Sequence, residues 1–273
     1  MSSFDFCGSE QANNSVVSSN NEVNLFIVKL TEFVIFVFSG LKTTSRRYPN
    51  FMELNILTII LVVTVIISLV AFNNQQILDR SMFIPYDIKH HRKYERYITH
   101  IFIHADYGHL AFNMFSLYFL GSFLLTLEPN RATLDGVLLD QGLIYEYGLI
   151  KGQIHFFILY FAGGIVSTIV PYVRHQDNMH YRSLGASGAV SAVVFAAILW
   201  NPSAPLQIIF LPGISFPAWG FGLVYLAFEF YMDKRGGGRI AHDAHIGGAL
   251  FGICYVLIIN IDKGTEFIQS IFG

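Results

Sequence analysis

The run L-N-I-L-T-I-I-L-V-V-T-V-I-I-S-L-V-A-F, Leu54 to Phe72, holds nineteen residues without a charge. A helix needs about 20 predominantly apolar residues to cross the ~30 Å hydrocarbon core of a bilayer. This run therefore reads as the first transmembrane span and sets the class of protein. Composition agrees. Of the 273 residues, 53% are hydrophobic and 13% charged, against roughly 25% charged in soluble domains, and mean hydropathy is +0.49. So little charge cannot cover a water-facing surface. A net charge of −2, with no long basic run, argues against nucleic acid as a partner. Cys7 and Cys254 are too few and too far apart for a disulfide framework or a zinc site.

Upstream of this span, residues 1–22 are rich in Ser and Asn and carry no Lys or Arg. That is unlike a secretory signal and reads as a disordered polar tail. Residues 23–53 form an N-terminal extension. Within it Val23 to Gly40, interrupted by Lys29 and Glu32, reads either as a spanning helix or, the favoured reading, as a helix lying in the membrane interface.

Downstream, a polar His-rich stretch runs from Asn73 to about Tyr107, and a second apolar segment from about Gly108 to Thr126. The third, about Gln153 to Val173, follows a loop holding Glu128, Asp135, Asp140 and Glu146. The fourth starts near Ser187 and stops at Trp200, because Asn201-Pro202 disfavours further helix. The fifth runs from about Pro217 to Met232, with proline suited to a first helical turn. The sixth, about Asp243 to Asn260, follows the charged, Gly-rich loop Asp233 to Ile240. Lipid leaves no backbone group unpaired. The expected fold is thus all-α, a polytopic bundle of six transmembrane helices over residues 54–260. A C-terminal tail, 261–273, follows, and no internal repeat or second domain is seen.

Parity places the polar residues. Spans two, four and six enter the membrane from one face, since an odd-numbered span separates each pair. His109 and Asn113 lie in the first turns of the second, Ser187 opens the fourth and His245 lies in the first turn of the sixth. All four groups are expected at similar depth near one surface.

A serine hydroxyl becomes a useful nucleophile when an adjacent base takes its proton, and neutral imidazole suits that task near pH 7. Ser187 stands in Gly185-Ala186-Ser187-Gly188, at an expected helix start where free N–H groups could stabilise an oxyanion. Taken alone, that tetrapeptide reads more readily as a helix start with a small packing face. Gly188, Ala192 and Ala196 form a smooth stripe on the fourth helix, and Gly248 with Gly252 does the same below His245. Small-xxx-small faces let membrane helices approach closely, as a Ser187–His245 hydrogen bond would require. His109 and Asn113 share a helix face and could bind the oxygen of a tetrahedral intermediate or merely bond neighbouring helices. Asp243 sits two residues from His245, roughly opposite it on a helix, so a Ser-His dyad is expected. His242 reads as structural.

The chain resembles the rhomboid intramembrane serine proteases. The resemblance rests on H-L-A-F-N at His109 to Asn113, G-A-S-G at Gly185 to Gly188, and A-H-I-G-G-A-L-F-G at Ala244 to Gly252, in the family's order. It implies hydrolysis of a peptide bond in or beside a transmembrane segment of another membrane protein, with neither metal nor organic cofactor. By that pattern Ser187 attacks and His245 serves as base and then acid. The oxyanion meets His109, Asn113 and the Ser187 N–H, and substrate enters between the second and fifth helices. The wording around the motifs is similar to bacterial members, which implies a bacterial cytoplasmic membrane. Two positions depart from the pattern: Glu95-Arg96 stands where many members have Trp-Arg, and Ser191 where some have an aromatic residue.

Two rivals are set against this reading. One is a histidine-box membrane metalloenzyme using His100 with His104 and His242 with His245, weakened by the expectation that no carboxylate ligand lies in the spans. The other is an inactive relative that binds transmembrane helices without cutting them.

Overall fold

The computed structural model describes residues 55–126, 133–134, 137–138, 141–207, 215–235 and 241–273. The expected polar tail and the Val23–Gly40 helix lie outside the described residues. Helix α1, Ile56–Phe72, starts at Asn55, whose side chain accepts from the Thr58 N–H at 2.9 Å, satisfying one of the donors a helix start leaves free. Leu57, Ile60, Thr64, Ser68 and Ala71 face inward, at the three- and four-residue spacing of one helical stripe. Ile59, Val62, Val63, Ile66 and Val70 face outward and are exposed. An apolar exterior with Thr and Ser turned inward is the pattern lipid demands.

The Asn73–Tyr107 stretch, expected as a polar connection, is folded structure. It holds α2, Gln75–Ser81, α3, Pro85–His91, α4, Arg96–Thr99, and a 3₁₀ turn, His100–Phe102. Arg96 is its hub and is 4% exposed. Its Nη1 donates to the Asp79 carbonyl at 2.9 Å and the Met82 carbonyl at 2.5 Å, while Nη2 lies 3.1 Å from Asp87. Burial pushes the Asp87 carboxyl up, but bonds from Lys93 and His91 and the Arg96 charge hold it below the usual carboxylate range. The Arg of Glu95-Arg96 thus anchors this loop without a tryptophan beside it.

The bundle continues with α5, Tyr107–Thr126, a two-stranded ribbon of β1, Thr133–Leu134, and β2, Val137–Leu138, then α6, Leu143–Tyr147, and α7, Leu149–Val166. Where one span was expected from Gln153 to Val173, the helix starts earlier and breaks before α8, Ile169–His175. The cause lies at the break. Pro171 has no N–H to give the Ser167 carbonyl and its ring crowds it, and the Ser167 and Thr168 hydroxyls donate to the carbonyls of Gly164 and Ile165, back-bonding that also bends helices. Next come α9, Ser187–Trp200, the ribbon of β3, Pro205–Gln207, and β4, Ser215–Pro217, then α10, Ala218–Arg235, and α11, His242–Ile259. Residues 261–273, expected as a tail, carry α12, Asp262–Phe272. Its Lys263 ammonium lies 5.1 Å from the Trp200 ring centre.

All six expected spans are helical, and among the described residues three runs are long and apolar enough to cross a membrane: α5, the α7–α8 run Leu149–His175, and α11. Helix α9 has only 14 residues, about 21 Å at 1.5 Å per residue. Every residue from Gly188 to Trp200 in it is buried, so it meets neighbouring helices rather than lipid. A helix apolar all round is a core helix, and α9 is packed between α5, α7 and α11.

The tightest of these contacts joins α9 to α11. A methyl group added at Gly248 would overlap the Gly188 carbonyl, and one at Gly252 would overlap the Ala192 carbonyl. Both partners advance by four residues in the same direction, so the two helices run parallel and in register. The stripes that the spacing predicts are therefore the seam itself. Gly248→Ala should destabilise the protein by about 1–3 kcal/mol, the usual range for overpacking. Gly220→Ala, where the added methyl would meet Pro217 at an ordinary 3.6 Å, should not. Thermal unfolding of the two variants in one detergent checks this, and equal melting temperatures would contradict the seam.

Candidate active site

The segment before Ser187 is tied at three consecutive points to the first loop. Phe83 and Ser183 form an antiparallel bridge, with N–H to carbonyl distances of 2.9 and 3.1 Å. Gly185 N–H donates to the His100 carbonyl at 3.0 Å. Ala186 N–H donates to His104 Nε2 at 3.4 Å. Because that nitrogen accepts, the His104 proton sits on Nδ1 and is directed at the Ser68 hydroxyl, 2.9 Å away, which in turn donates to the Phe102 carbonyl at 2.8 Å. A polar residue on the inner face of α1 thereby orients the backbone one residue ahead of Ser187.

Gly185 has φ +121°, and a side chain there would strike the His109 ring, 2.6 Å from the added carbon. Both facts require glycine. They also bring the start of α9 against His109 in the first turn of α5. Asp106 caps that turn, accepting from the His109 N–H at 2.8 Å. Asn113 is buried, and its Nδ2 donates to the His109 carbonyl at 2.9 Å. The first helical bond of α9 is Val190 N–H to the Ala186 carbonyl, so the N–H groups of Ser187, Gly188 and Ala189 precede the helical ladder.

On the other side of Ser187, a methyl group at Gly188 would meet the Ser167 hydroxyl and stand 3.6 Å from the Ala244 carbonyl. The residue after Ser187 thus lies close to the residue before His245. Parity is realised: the starts of α5, α9 and α11 meet at one end of the bundle, and Ser187, His245, His109 and Asn113 share it. The small residues Gly185, Gly188, Gly248 and Gly252 are what permit the approach.

The residue that sequence reasoning missed is Glu229 on α10. It is 4% exposed; its carboxylate lies 2.6 Å from His242 Nδ1 and 3.2 Å from His245 Nδ1. The longer contact falls short of a well-aligned hydrogen bond. The expectation that the spans hold no carboxylate is thereby corrected, since Glu229 lies within the expected fifth span. Its signal was legible, because a lone acid among apolar residues in a span is a functional candidate. Asp243 turns elsewhere: it pairs with Arg174 at 3.2 Å and accepts from the Ala244 N–H. Ser191, at the position where an aromatic was noted, is buried, and its hydroxyl lies 3.4 Å from that of Tyr225.

Of the histidine-box pairs, His100 and His104 do not share a helix face. His100 opens the 3₁₀ turn and Ile103 is extended; the His100 ring packs against Phe83 and the His104 ring against His109. Glu229, His242 and His245 do converge, with donor atoms within 4.8 Å of one another.

Known proteins match in keeping with this geometry. A family model described as Rhomboid domain matches residues 91–261, more than half of the chain. The mitochondrial presenilin-associated rhomboid-like protein of Bos taurus is 40% identical over 108 residues, 39% of this chain and 29% of its own length. Presenilin-associated rhomboid-like protein A of Danio rerio is 39% identical over 106 residues, 38% of this chain and 28% of its own. RHOMBOID-like protein 12 of Arabidopsis thaliana is 28% identical over 193 residues, 70% of this chain and 53% of its own. The chain thus spans under a third of the presenilin-associated relatives and about half of the Arabidopsis protein. All three are named as mitochondrial, which runs against the expectation of a bacterial cytoplasmic membrane.

The buried imidazoles of the first loop carry a pH signature. Burial disfavours the imidazolium and pushes His100 down to about 4, although backbone bonds at Gly185 and Tyr97 act the other way. Burial, with the nearby His109, pushes His104 down to about 3. In the unfolded chain both protonate near pH ~6.5. As pH falls below that value the unfolded state takes up protons that the native state refuses, so stability is lost, by up to about 1.4 kcal/mol per pH unit per imidazole. The melting temperature in detergent should drop between pH 7.5 and 5, and drop less in His100→Asn. A profile flat across that range would contradict the assignment.

Proposed function

This chain belongs to the rhomboid family and is an integral membrane protein, and on that premise we propose that it is an intramembrane serine endopeptidase. Residues 54–260 form its six-span catalytic core, residues 1–53 an extension to it. Its substrates are other membrane proteins, cut in or beside a transmembrane segment. The observation that carries the reading is the parallel seam of α9 and α11, where Gly248 packs on the Gly188 carbonyl and the neighbouring Ser187 and His245 stand on adjacent first turns.

In the proposed reaction the Ser187 hydroxyl attacks the scissile carbonyl carbon while His245 takes its proton. Negative charge moves to the carbonyl oxygen, which in this reading accepts from the Ser187 N–H, His109 and Asn113. The imidazolium then returns its proton to the leaving amine. Water, deprotonated by the same imidazole, hydrolyses the acyl-serine and frees the enzyme. The substrate helix unwinds first, because a helical peptide bond is hydrogen-bonded and shielded. The first-loop bonds to Gly185 and Ala186 support the arrangement by fixing the backbone that presents Ser187.

Among the described residues no hydrogen bond joins the Ser187 hydroxyl to the imidazole. Such bonds often tighten only once substrate binds. A serine-reactive fluorophosphonate probe should label the wild type and leave Ser187→Ala unlabelled. Cleavage of a single-pass model substrate should fall to background in Ser187→Ala and in His245→Ala at normal expression. Unchanged cleavage by either variant would defeat the proposal and favour a protein that only binds transmembrane helices.

A further inference from the structure

Glu229 is a carboxylate inside a bundle helix, and burying such a charge is costly unless partners offset it. Its helix α10 turns Leu223, Val224, Phe228, Phe230 and Tyr231 to the exterior, while Glu229 faces the bundle. Among the described residues no lysine or arginine pairs with it; Arg174 is taken by Asp233 and Asp243. The groups facing its carboxylate there are His242 and His245, each approached through Nδ1, with Tyr225 beside it on the same helix. The 2.6 Å contact to His242 is short, as charge-assisted bonds are. It consumes one carboxylate oxygen and leaves the other for His245.

We propose that Glu229 is a positioning residue for the His245 imidazole: its carboxylate, clamped by His242, holds the His245 proton on Nδ1 and so leaves Nε2 as the base that faces Ser187. This inference rests on the serine-protease reading above and adds a third group to its Ser-His pair. The chemistry is that of an acid fixing the tautomer of a catalytic histidine. Here the acid comes from a neighbouring helix, whereas the sequence-adjacent Asp243 is committed to Arg174. His242 acts by keeping Glu229 in place. A cation shared by the same three groups is the less favoured arrangement. Two ligands of one tetrahedral zinc stand roughly 3.4 Å apart, given metal–ligand distances of ~2.0–2.2 Å, and the His242–Glu229 separation of 2.6 Å is that of a hydrogen bond.

The test uses the full-length protein in detergent, with a fluorogenic transmembrane-peptide substrate and ¹⁵N-histidine labelling. Glu229→Gln keeps the shape and removes the charge. It should lower kcat about 10- to 100-fold, below the ~10²–10⁴ that a whole general base supplies, with KM within about twofold of wild type. Glu229→Asp should recover part of the loss. The His245 ¹⁵N signals should report the Nδ1–H tautomer in the wild type and shift toward Nε2–H in Glu229→Gln, a change that loss of packing alone would not make. If Glu229→Gln fails to fold, the wild-type tautomer still decides. An Nε2–H form there, or unchanged kcat and tautomer in the variant, overturns the inference. So does zinc inhibition of the wild type that EDTA reverses and Glu229→Gln abolishes, which assigns the three groups to a cation. A wild type that neither cleaves nor takes the fluorophosphonate probe would instead defeat the protease reading.

Discussion

Two helices in this bundle approach until backbone meets backbone, and the other features of the site presuppose it. Gly248 lies on the Gly188 carbonyl and Gly252 on the Ala192 carbonyl, a separation that any side chain would widen. Membrane helices have no hydrophobic effect to press them together in lipid, so close van der Waals packing has to supply the association. The same closeness sets the reach between the first turns of α9 and α11. Ser187 and His245 both project from short distances there, and a seam opened by one methyl group would separate them by a comparable amount. Packing and chemistry are here one constraint.

The first loop supplies the second half of the geometry. The loop and the strand-like Phe83–Ser183 bridge act as a bracket that holds Gly185 and Ala186 by their amides. The bracket is itself held by buried polar groups: Arg96 on two carbonyls and a carboxylate, and His104 between Ser68 and Ala186. Satisfied polar networks inside a low-dielectric interior rigidify what they touch. A single inward serine on α1 therefore takes part in aiming a backbone segment more than a hundred positions away in sequence.

The helices were legible because lipid imposes long uncharged runs, and α9 begins and ends where Gly-Ala-Ser-Gly and Asn201-Pro202 say it should. The meeting of Ser187, His245, His109 and Asn113 at one end followed from parity alone. The interior of Asn73–Tyr107 was not legible, since helices of four to seven residues have too little periodicity to announce themselves and owe their form to Arg96 and its carbonyls. The break at Ser167-Thr168 lies inside a long apolar run, where Pro171, four residues on, was the signal for it. Glu229 escaped notice for a different reason. It lies inside the expected fifth span, four residues before the charged stretch that opens at Asp233, and the apolar residues around it carried the reading of that segment.

The parallel course of α5, α9 and α11 has an electrostatic corollary. Each helix carries roughly half a positive charge at its start, and side-by-side parallel dipoles repel. The bundle tolerates that repulsion at one end and thereby gathers three like-signed poles around a single patch. Any negative charge formed on that patch, however briefly, is met by a standing field that needs no side chain to move.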